Sequence, residues 1–407
     1  MFVDSKIYIS PYMWQDGELK YDLGALRQTP FWYTVWGWKP TNKKDHDLIY
    51  CDLDIDTPEK NSKIGKYNVY IIAQGLQDAI HSNFLNQLPD LVFKDIRSGK
   101  CKLIIANTSE QWGDLIKFYF SFLKQVKDLN LPTDSIVIFD STTECLHNKN
   151  LNDTEIEIKY SVYLFEIGAC LISNPLRNTA KCLTKIELDY HKLVKPRKYY
   201  YVSYNGRYMP ERHALVKFLK QKKYDNMGYL SWHGDENKIE LDSYRYDSSK
   251  DEMGYLEYIH ENKLKMVWPN IYTSKHYENS YFNILTESQY ETSTLEWKGI
   301  FFSEKILRPI VNCQPFLVIG QKNILKTLKE FGFKTFDGWI DETYDSCNDE
   351  VRCEYVLNEV DKLCSMSRLE IYKWYLSIWK VLEHNFNHLN YEFLPKHRRE
   401  FIGSFYA

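Results

Sequence analysis

The stretch KLIIANTSEQWGDLIKFYFSFLKQVKDLNLPTDSIVIFD, residues 102–140, decides the fold class. Its two apolar runs, KLIIAN (102–107) and DSIVIF (134–139), have the length of buried strands. Between them WGDLIKFYFSFLKQVKDL (112–129) sets apolar residues three and four apart, the period of a helix with one packed face. Strand, helix, strand in this order implies a parallel sheet covered by helices. DLIYCDLDI (47–55), NVYIIA (68–73) and YLFEIGACLI (163–172) extend the series, with LHNKNLNDTE (146–155) as a polar loop inside it.

A second series of the same kind starts near VKPRKYYYVSYNGR (194–207). Tyr199–Tyr204 reads as a strand, ERHALVKFLKQKK (211–223) as an amphipathic helix and MGYLSW (227–232) as a further strand. SYFNILTES (280–288), GIFFSEKILRPIVNCQPFLVIG (299–320) and the helix NILKTLKEFGF (323–333) follow, with Gly332 where a helix C-cap glycine belongs. Residues 365–391 read as one long amphipathic helix. The expected architecture is therefore α/β with two Rossmann-type domains facing a cleft. Residues 1–190 form the first, 191–364 the second, and 365–407 a crossing helix and tail. Ligands of such sheets bind at the carboxyl ends of the strands.

Composition narrows the function classes. The chain has 407 residues, enough for two domains of ordinary size, with 44% hydrophobic and 26% charged residues. A net charge of −3 gives no global basic field for nucleic acid. The nine cysteines include no CxxC pair, and no histidine stands at zinc-like spacing from Cys347, Cys353 and Cys364. They read as reduced thiols of a cytoplasmic protein. No leader pattern opens the sequence, and no apolar run approaches the ~20 residues of a membrane span. Thirty-two tyrosines among many Lys, Asn and Ile suggest an AT-rich genome such as that of a virus or phage.

The chemistry is concentrated in residues 199–320. In FFSEKILRP (301–309) Ser303 is a natural N-cap, and Glu304 suits the helix dipole. Lys305 opposes that dipole unless an anion sits at the helix start, where free N–H groups point. Pro309 makes this helix short or kinked. Arg212 stands in the first turn of the helix that starts near Pro210 or Glu211, so a second cation marks a second strand-to-helix turn. Each alone reads equally well as a solvated surface charge. Together they suit one diphosphate, the guanidinium bridging oxygens and the ammonium acting as a point charge. In HYENSYFNILTES (276–288) a buried strand is flanked by Glu278, Asn279 and Ser280 before it and Thr286, Glu287 and Ser288 after it, groups suited to a sugar or ribose.

These elements, in this order, resemble the α1,3-fucosyltransferase family of GT-B glycosyltransferases over about a third of the chain. The resemblance rests on Asn205 with Arg212, on YENS (277–280), and on Ser303-Glu304-Lys305 followed by the proline-led run Pro315–Gly320. It implies a GT-B-like fold and a metal-independent transferase whose donor is a GDP- or UDP-linked sugar. It also implies that Arg212 and Lys305 bind the pyrophosphate and Glu304 the ribose, with Asn205, Asn279, Ser280, Glu287 and Ser303 around them. The acceptor would be a glycan hydroxyl or a hydroxylated base of phage DNA. A non-catalytic viral protein of the same fold is the reading from a different class. Pro309, Cys313-Gln314 and the insertion QYETSTLEWKG (289–299) depart from the family pattern.

An inverting transfer needs a carboxylate to deprotonate the acceptor. Glu110, after KLIIANTS, and Asp140, after SIVIF, are the candidates, and an N-cap or loop acid is the plain alternative for both. Glu296 and Glu304 have the spacing of the paired glutamates of retaining enzymes, read here as coincidence because the flanking glycines are missing. Asp52, Asp54 and Asp56 read as solvated acids. Trp36 and Trp38 suit an acceptor loop, and the basic runs KPRK (195–198) and KHRR (396–399) read as solvated.

Overall fold

The computed structural model describes residues 7–15, 18–21, 53–55, 68–73, 84–107, 115–148, 151, 154–160, 196–205, 208–232, 276–277, 279–290, 299–393, 396–397, 400 and 403–404. The side chains of 7–15, 18–21, 53–55, 68, 71–73, 107, 304, 311 and 390 lie outside that description. The chain divides into two compact units. Unit 1 comprises Met1–Gly168, Leu295–Glu304 and Phe393–Ala407, and unit 2 comprises Ala169–Thr294 and Lys305–Glu392. Each is built on a sheet of parallel strands with helices, the α/β class expected.

Unit 1 contains β1 (Ile7–Gln15), β2 (Glu18–Tyr21), β3 (Leu53–Ile55), β4 (Asn68–Ala73), β5 (Cys101–Asn107), β6 (Ile136–Asp140) and β7 (Glu157–Tyr160). Their order is β2-β1-β4-β5-β6-β7, with β3 also paired to β1. All pairings are parallel except β1 with β2. The helices are α1 (Asp90–Arg97), α2 (Leu115–Asp128) and the single turn α3 (Glu144–His147). Leu115, Phe118, Tyr119, Phe122, Leu123 and Val126 of α2 are buried, the three-and-four spacing read from the sequence. Phe122 stacks on Phe118 at 5.7 Å and on Phe84 at 5.8 Å. Burying such a ring contributes about 2–3 kcal/mol.

Helix α2 ends where its sequence demands. Asn130 takes the left-handed conformation (φ 48°), and the Leu131 N–H donates to the Val126 carbonyl at 3.0 Å. Asparagine tolerates that backbone, and Pro132 cannot continue a helix.

Unit 2 contains β8 (Tyr199–Ser203), β9 (Tyr229–Leu230), β10 (Ser280–Thr286) and β11 (Phe316–Ile319), all parallel, in the order β11-β10-β8-β9. All seven residues of β10 are buried, as in a strand covered on both faces. Its helices are α4 (Pro210–Gln221), α5 (Glu304–Val311), α6 (Ile324–Glu330), α7 (Asp349–Ser365), α8 (Arg368–Ser377) and α9 (Trp379–His388). The first residue of α5 is counted with unit 1.

Helix α5 is short, as Pro309 requires, and Cys313 (φ 47°) closes it with the Gln314 N–H on the Pro309 carbonyl at 2.9 Å. Gly332 (φ 91°) is the left-handed residue after α6, as its sequence position suggested. A Cβ there would also lie 2.8 Å from the His388 ring.

The expected single helix over 365–391 is corrected to two helices and a π-turn at Leu389–Phe393. Ser367 restarts the helix with a capping box, its Oγ accepting from Glu370 N–H and the Glu370 carboxylate accepting from Ser367 N–H. Ser377 then bonds back to the Trp374 carbonyl at 2.7 Å, and the chain turns at Ile378.

Candidate functional site

The site builds from the carboxyl ends of β8, β10 and β11 in unit 2. Strand β8 delivers Asn205 two residues past its end, fully buried. Its N–H donates to Ser231 Oγ at 3.0 Å, its Nδ2 to Ser203 Oγ at 3.1 Å, and its Oδ1 accepts from Thr286 Oγ1 at 3.0 Å. Every polar atom of the Asn205 side chain is thus held, and it fixes the last residue of β10.

Helix α4 brings Arg212 to the same residue from its first turn. Arg212 is 5% exposed, and its guanidinium donates through Nε to Thr286 Oγ1 and through Nη2 to the Thr286 carbonyl, each at 3.2 Å. One residue on, the Glu287 N–H donates to the Ile319 carbonyl at 2.9 Å and prolongs the β10–β11 ladder. The carboxylate of Glu287 is buried, and Lys305 Nζ from α5 lies 3.8 Å from its Oε2. The lysine that opposed its helix dipole therefore has a carboxylate partner, which the sequence did not reveal. Gly320, at the end of β11, leaves the room that Glu287 needs, since a Cβ there would stand 3.2 Å from Glu287 Cγ.

Arg352 of α7 locks the far side of this edge and was not singled out from the sequence. It is 1% exposed and lies over the Tyr290 ring at 4.4 Å. Nε donates to the Gly320 carbonyl at 2.9 Å and Nη1 to Cys347 O at 3.0 Å. Nη2 donates to Tyr290 O and to Asp349 Oδ1, both at 2.7 Å. The only signal in the sequence was Asp349 three residues earlier, which reads as an ordinary surface pair.

Asn205, Arg212, Glu287 and Lys305 are brought together around Thr286. Asn279 and Ser280 are not. Ser280 opens β10 and Thr286 closes it, a separation of about 20 Å along the strand. Ser280 is buried at the amino end, with its Oγ donating to the His276 carbonyl at 2.6 Å and accepting from Gln314 Nε2 at 2.9 Å. The exposed Asn279 receives the Tyr199 N–H on its carbonyl. Arg197, in the KPRK run expected to be solvated, is buried at this end. Its Nη1 donates to the carbonyls of Tyr277 and Ser280, and its Nη2 to Tyr375 Oη at 2.7 Å.

Ser303 is fully buried immediately before α5, and Glu304 opens that helix with its side chain outside the described residues. In unit 1 Asp140 ends β6, fully buried. Its Oδ1 accepts the Thr142 N–H at 2.8 Å and the Thr142 hydroxyl at 2.7 Å, the arrangement of an Asx turn. Residues 299–301 dock on this turn through Thr143 N–H to Ile300 O at 3.0 Å and Ile300 N–H to Thr143 Oγ1 at 2.8 Å. Gly299 permits the approach, since a Cβ there would lie 2.3 Å from the Glu144 nitrogen. Glu110, Asp52, Asp56, Glu296, Trp36 and Trp38 lie outside the described residues, as does the run 163–172.

No protein-family model matches the chain, and no curated protein matches it. A solved structure described as trehalose-6-phosphate from E. coli bound with UDP-2-fluoro glucose overlaps 85% of this chain and 75% of its own length. Sequence identity is 12% and the TM-score 0.36. That overlap is too loose to carry any residue's role from one chain to the other.

Proposed function

We propose that the carboxyl edge of the unit 2 sheet binds the diphosphate of a nucleotide-diphosphate sugar, GDP- or UDP-linked, and that the protein transfers the sugar to an acceptor hydroxyl. One observation carries this reading. Arg212 and Lys305, from two helices far apart in sequence, reach consecutive residues of one strand end, Thr286 and Glu287. Two cations held on a rigid sheet edge suit a leaving group that gains negative charge as the glycosidic bond breaks.

The chemistry divides among the side chains. The Arg212 fork would bridge two phosphate oxygens and Lys305 would supply a point charge, so the departing diphosphate needs no metal ion. Glu287 holds Lys305, and Asn205 holds Thr286, so the cations are set before the ligand arrives. Glu304 would take the ribose. The acceptor attacks the anomeric carbon as the diphosphate leaves, with inversion, and a carboxylate takes the acceptor proton. Glu110 and Asp140 are the candidate bases, and Asp140 is fully buried with its Oδ1 held in the turn with Thr142.

The second reading is a non-catalytic binding protein. It is favoured by the protein partners that Arg212 and Lys305 already have. Slow hydrolysis of nucleotide sugars separates the two without knowledge of the acceptor. The enzyme reading expects release of GDP or UDP from at least one donor over hours, and less of it in Lys305→Ala. A protein that binds nucleotide yet releases none from any donor is the non-catalytic one.

A further inference from the structure

We propose that Tyr208, His213 and Trp232 seat the planar base of the nucleotide, the rings stacking on its face and the Trp232 indole N–H bonding an acceptor on its edge. The proposal rests on the diphosphate reading above and names the part of the ligand that the cations do not touch.

Position comes first. Trp232 follows β9 by two residues, beside the carboxyl end of β8. The intervening Ser231 is tied to that edge at both ends: its N–H donates to the Ser203 carbonyl at 3.1 Å, and its Oγ accepts the Asn205 N–H at 3.0 Å. His213 is the residue after Arg212 in the first turn of α4, and Tyr208 precedes that helix. The three rings therefore adjoin the diphosphate groups through Ser231–Asn205 on one strand end and through Arg212 on the helix.

Geometry comes second. The ring centroids are 5.9 Å apart for Tyr208 and His213, 5.9 Å for His213 and Trp232, and 6.2 Å for Tyr208 and Trp232. All three residues are partly exposed, unlike the fully buried Tyr201 and Phe282 of the sheet core. Three aromatic rings kept at a polar strand edge form a stacking platform, and every nucleobase has a face that can use one.

Hydrogen bonding comes third. The indole Nε1–H of Trp232 is enclosed and has no acceptor among the described residues. An enclosed indole N–H normally finds one. The carbonyl oxygens of guanine and uracil and the ring nitrogens of adenine all accept such a bond.

Calorimetric titration of the full chain with UDP, GDP, ADP and inorganic pyrophosphate tests this, on wild type, Trp232→Phe and Trp232→Leu. Wild type is expected to bind at least one of UDP, GDP and ADP about tenfold more tightly than pyrophosphate. Trp232→Phe keeps a ring but loses the N–H, so that nucleotide binds more weakly than to wild type and stays above pyrophosphate. Trp232→Leu also lowers the gain over pyrophosphate, while pyrophosphate itself binds as in wild type. Should Trp232→Leu lose pyrophosphate as well, His213→Leu on the same cluster decides by the same comparison. Unchanged affinity for that nucleotide in the leucine variants overturns the base seat and leaves the diphosphate site standing. No affinity of the wild type for any of the four sinks the diphosphate site and the base seat together.

Discussion

The two ends of the unit 2 sheet each hold a buried arginine, in different company. At the amino end Arg197 donates to the backbone carbonyls of Tyr277 and Ser280, lies over the Tyr375 ring at 4.2 Å and bonds its hydroxyl. Gln314 donates to the same two carbonyls, so a ring of fixed main-chain acceptors is closed from both sides. At the carboxyl end Arg212 meets the hydroxyl and the main-chain carbonyl of Thr286, and Lys305 meets the Glu287 carboxylate. A hydroxyl or a carboxylate can turn away when a ligand arrives, which concerns Arg212 Nε and Lys305 Nζ, whereas main-chain carbonyls inside a sheet cannot, which concerns Arg212 Nη2 and Arg197 Nη1. On the proposed reading, the contrast separates a cation that builds the fold from cations that an anion would draw away from side-chain partners, although both arginines are shielded from water.

The comparison breaks first at Arg197. Arg197→Met leaves main-chain carbonyls short of a charged donor and should cost about 3 kcal/mol in denaturant unfolding. Nucleotide affinity measured below the transition should not change. A variant of full stability would place Arg197 among the exchangeable cations instead.

At the other end the expected cost is smaller and divides into two parts. Lys305→Met removes the cation beside the buried Glu287 carboxylate and should cost about 2 kcal/mol. Adding Glu287→Gln removes the buried charge and should recover most of that loss, without recovering nucleotide binding. Recovery of both would mean that the pair only holds the fold.

The smallest effect is a pH dependence at His276, shortly before β10. Burial lowers the His276 pKa from 6.5 to about 4, and Tyr204 Oη is 2.6 Å from its Nδ1. Tyr229 stacks on the ring at 3.9 Å. A histidine held neutral in the fold contributes stability that is fully present above its unfolded pKa and is lost as pH falls from about 6.5 towards 4. By about pH 5.5 the loss should be about 1 kcal/mol, read as a drop in the unfolding midpoint that His276→Phe does not share. Equal pH dependence in that variant would assign the loss to other groups, such as His397 in unit 1, whose burial also lowers its pKa to about 4.

Much of this was legible along the chain. The period of residues 112–129 marked α2, and the apolar runs marked β4, β5, β6, β8 and β10. Strand β1 was not marked, because IYISPYMWQ carries Pro11 and mixes polar with apolar residues. Strand β7, the last in the sheet order among the described residues, has only four residues, two of them charged, which makes it hard to see. The cations of the site stood out because they sat at strand-to-helix turns. Their partners did not, since the meeting of Arg212 with Thr286 and of Lys305 with Glu287 is set by sheet order. Strand direction likewise separates Ser280 from Thr286, although the two ends of SYFNILT look equally polar in the sequence. Arg352 was hard to see because, Asp349 apart, the acceptors it meets are main-chain carbonyls, which no side-chain pattern encodes.

The most direct test is calorimetric titration of GDP and UDP into wild type and Arg212→Ala, with circular dichroism to establish that the variant is folded. The wild type should bind at least one of the two, and folded Arg212→Ala should bind it about ten- to a hundredfold more weakly. A wild type that binds neither, or a folded Arg212→Ala that binds as well as wild type, would contradict the assignment of this sheet edge to a diphosphate.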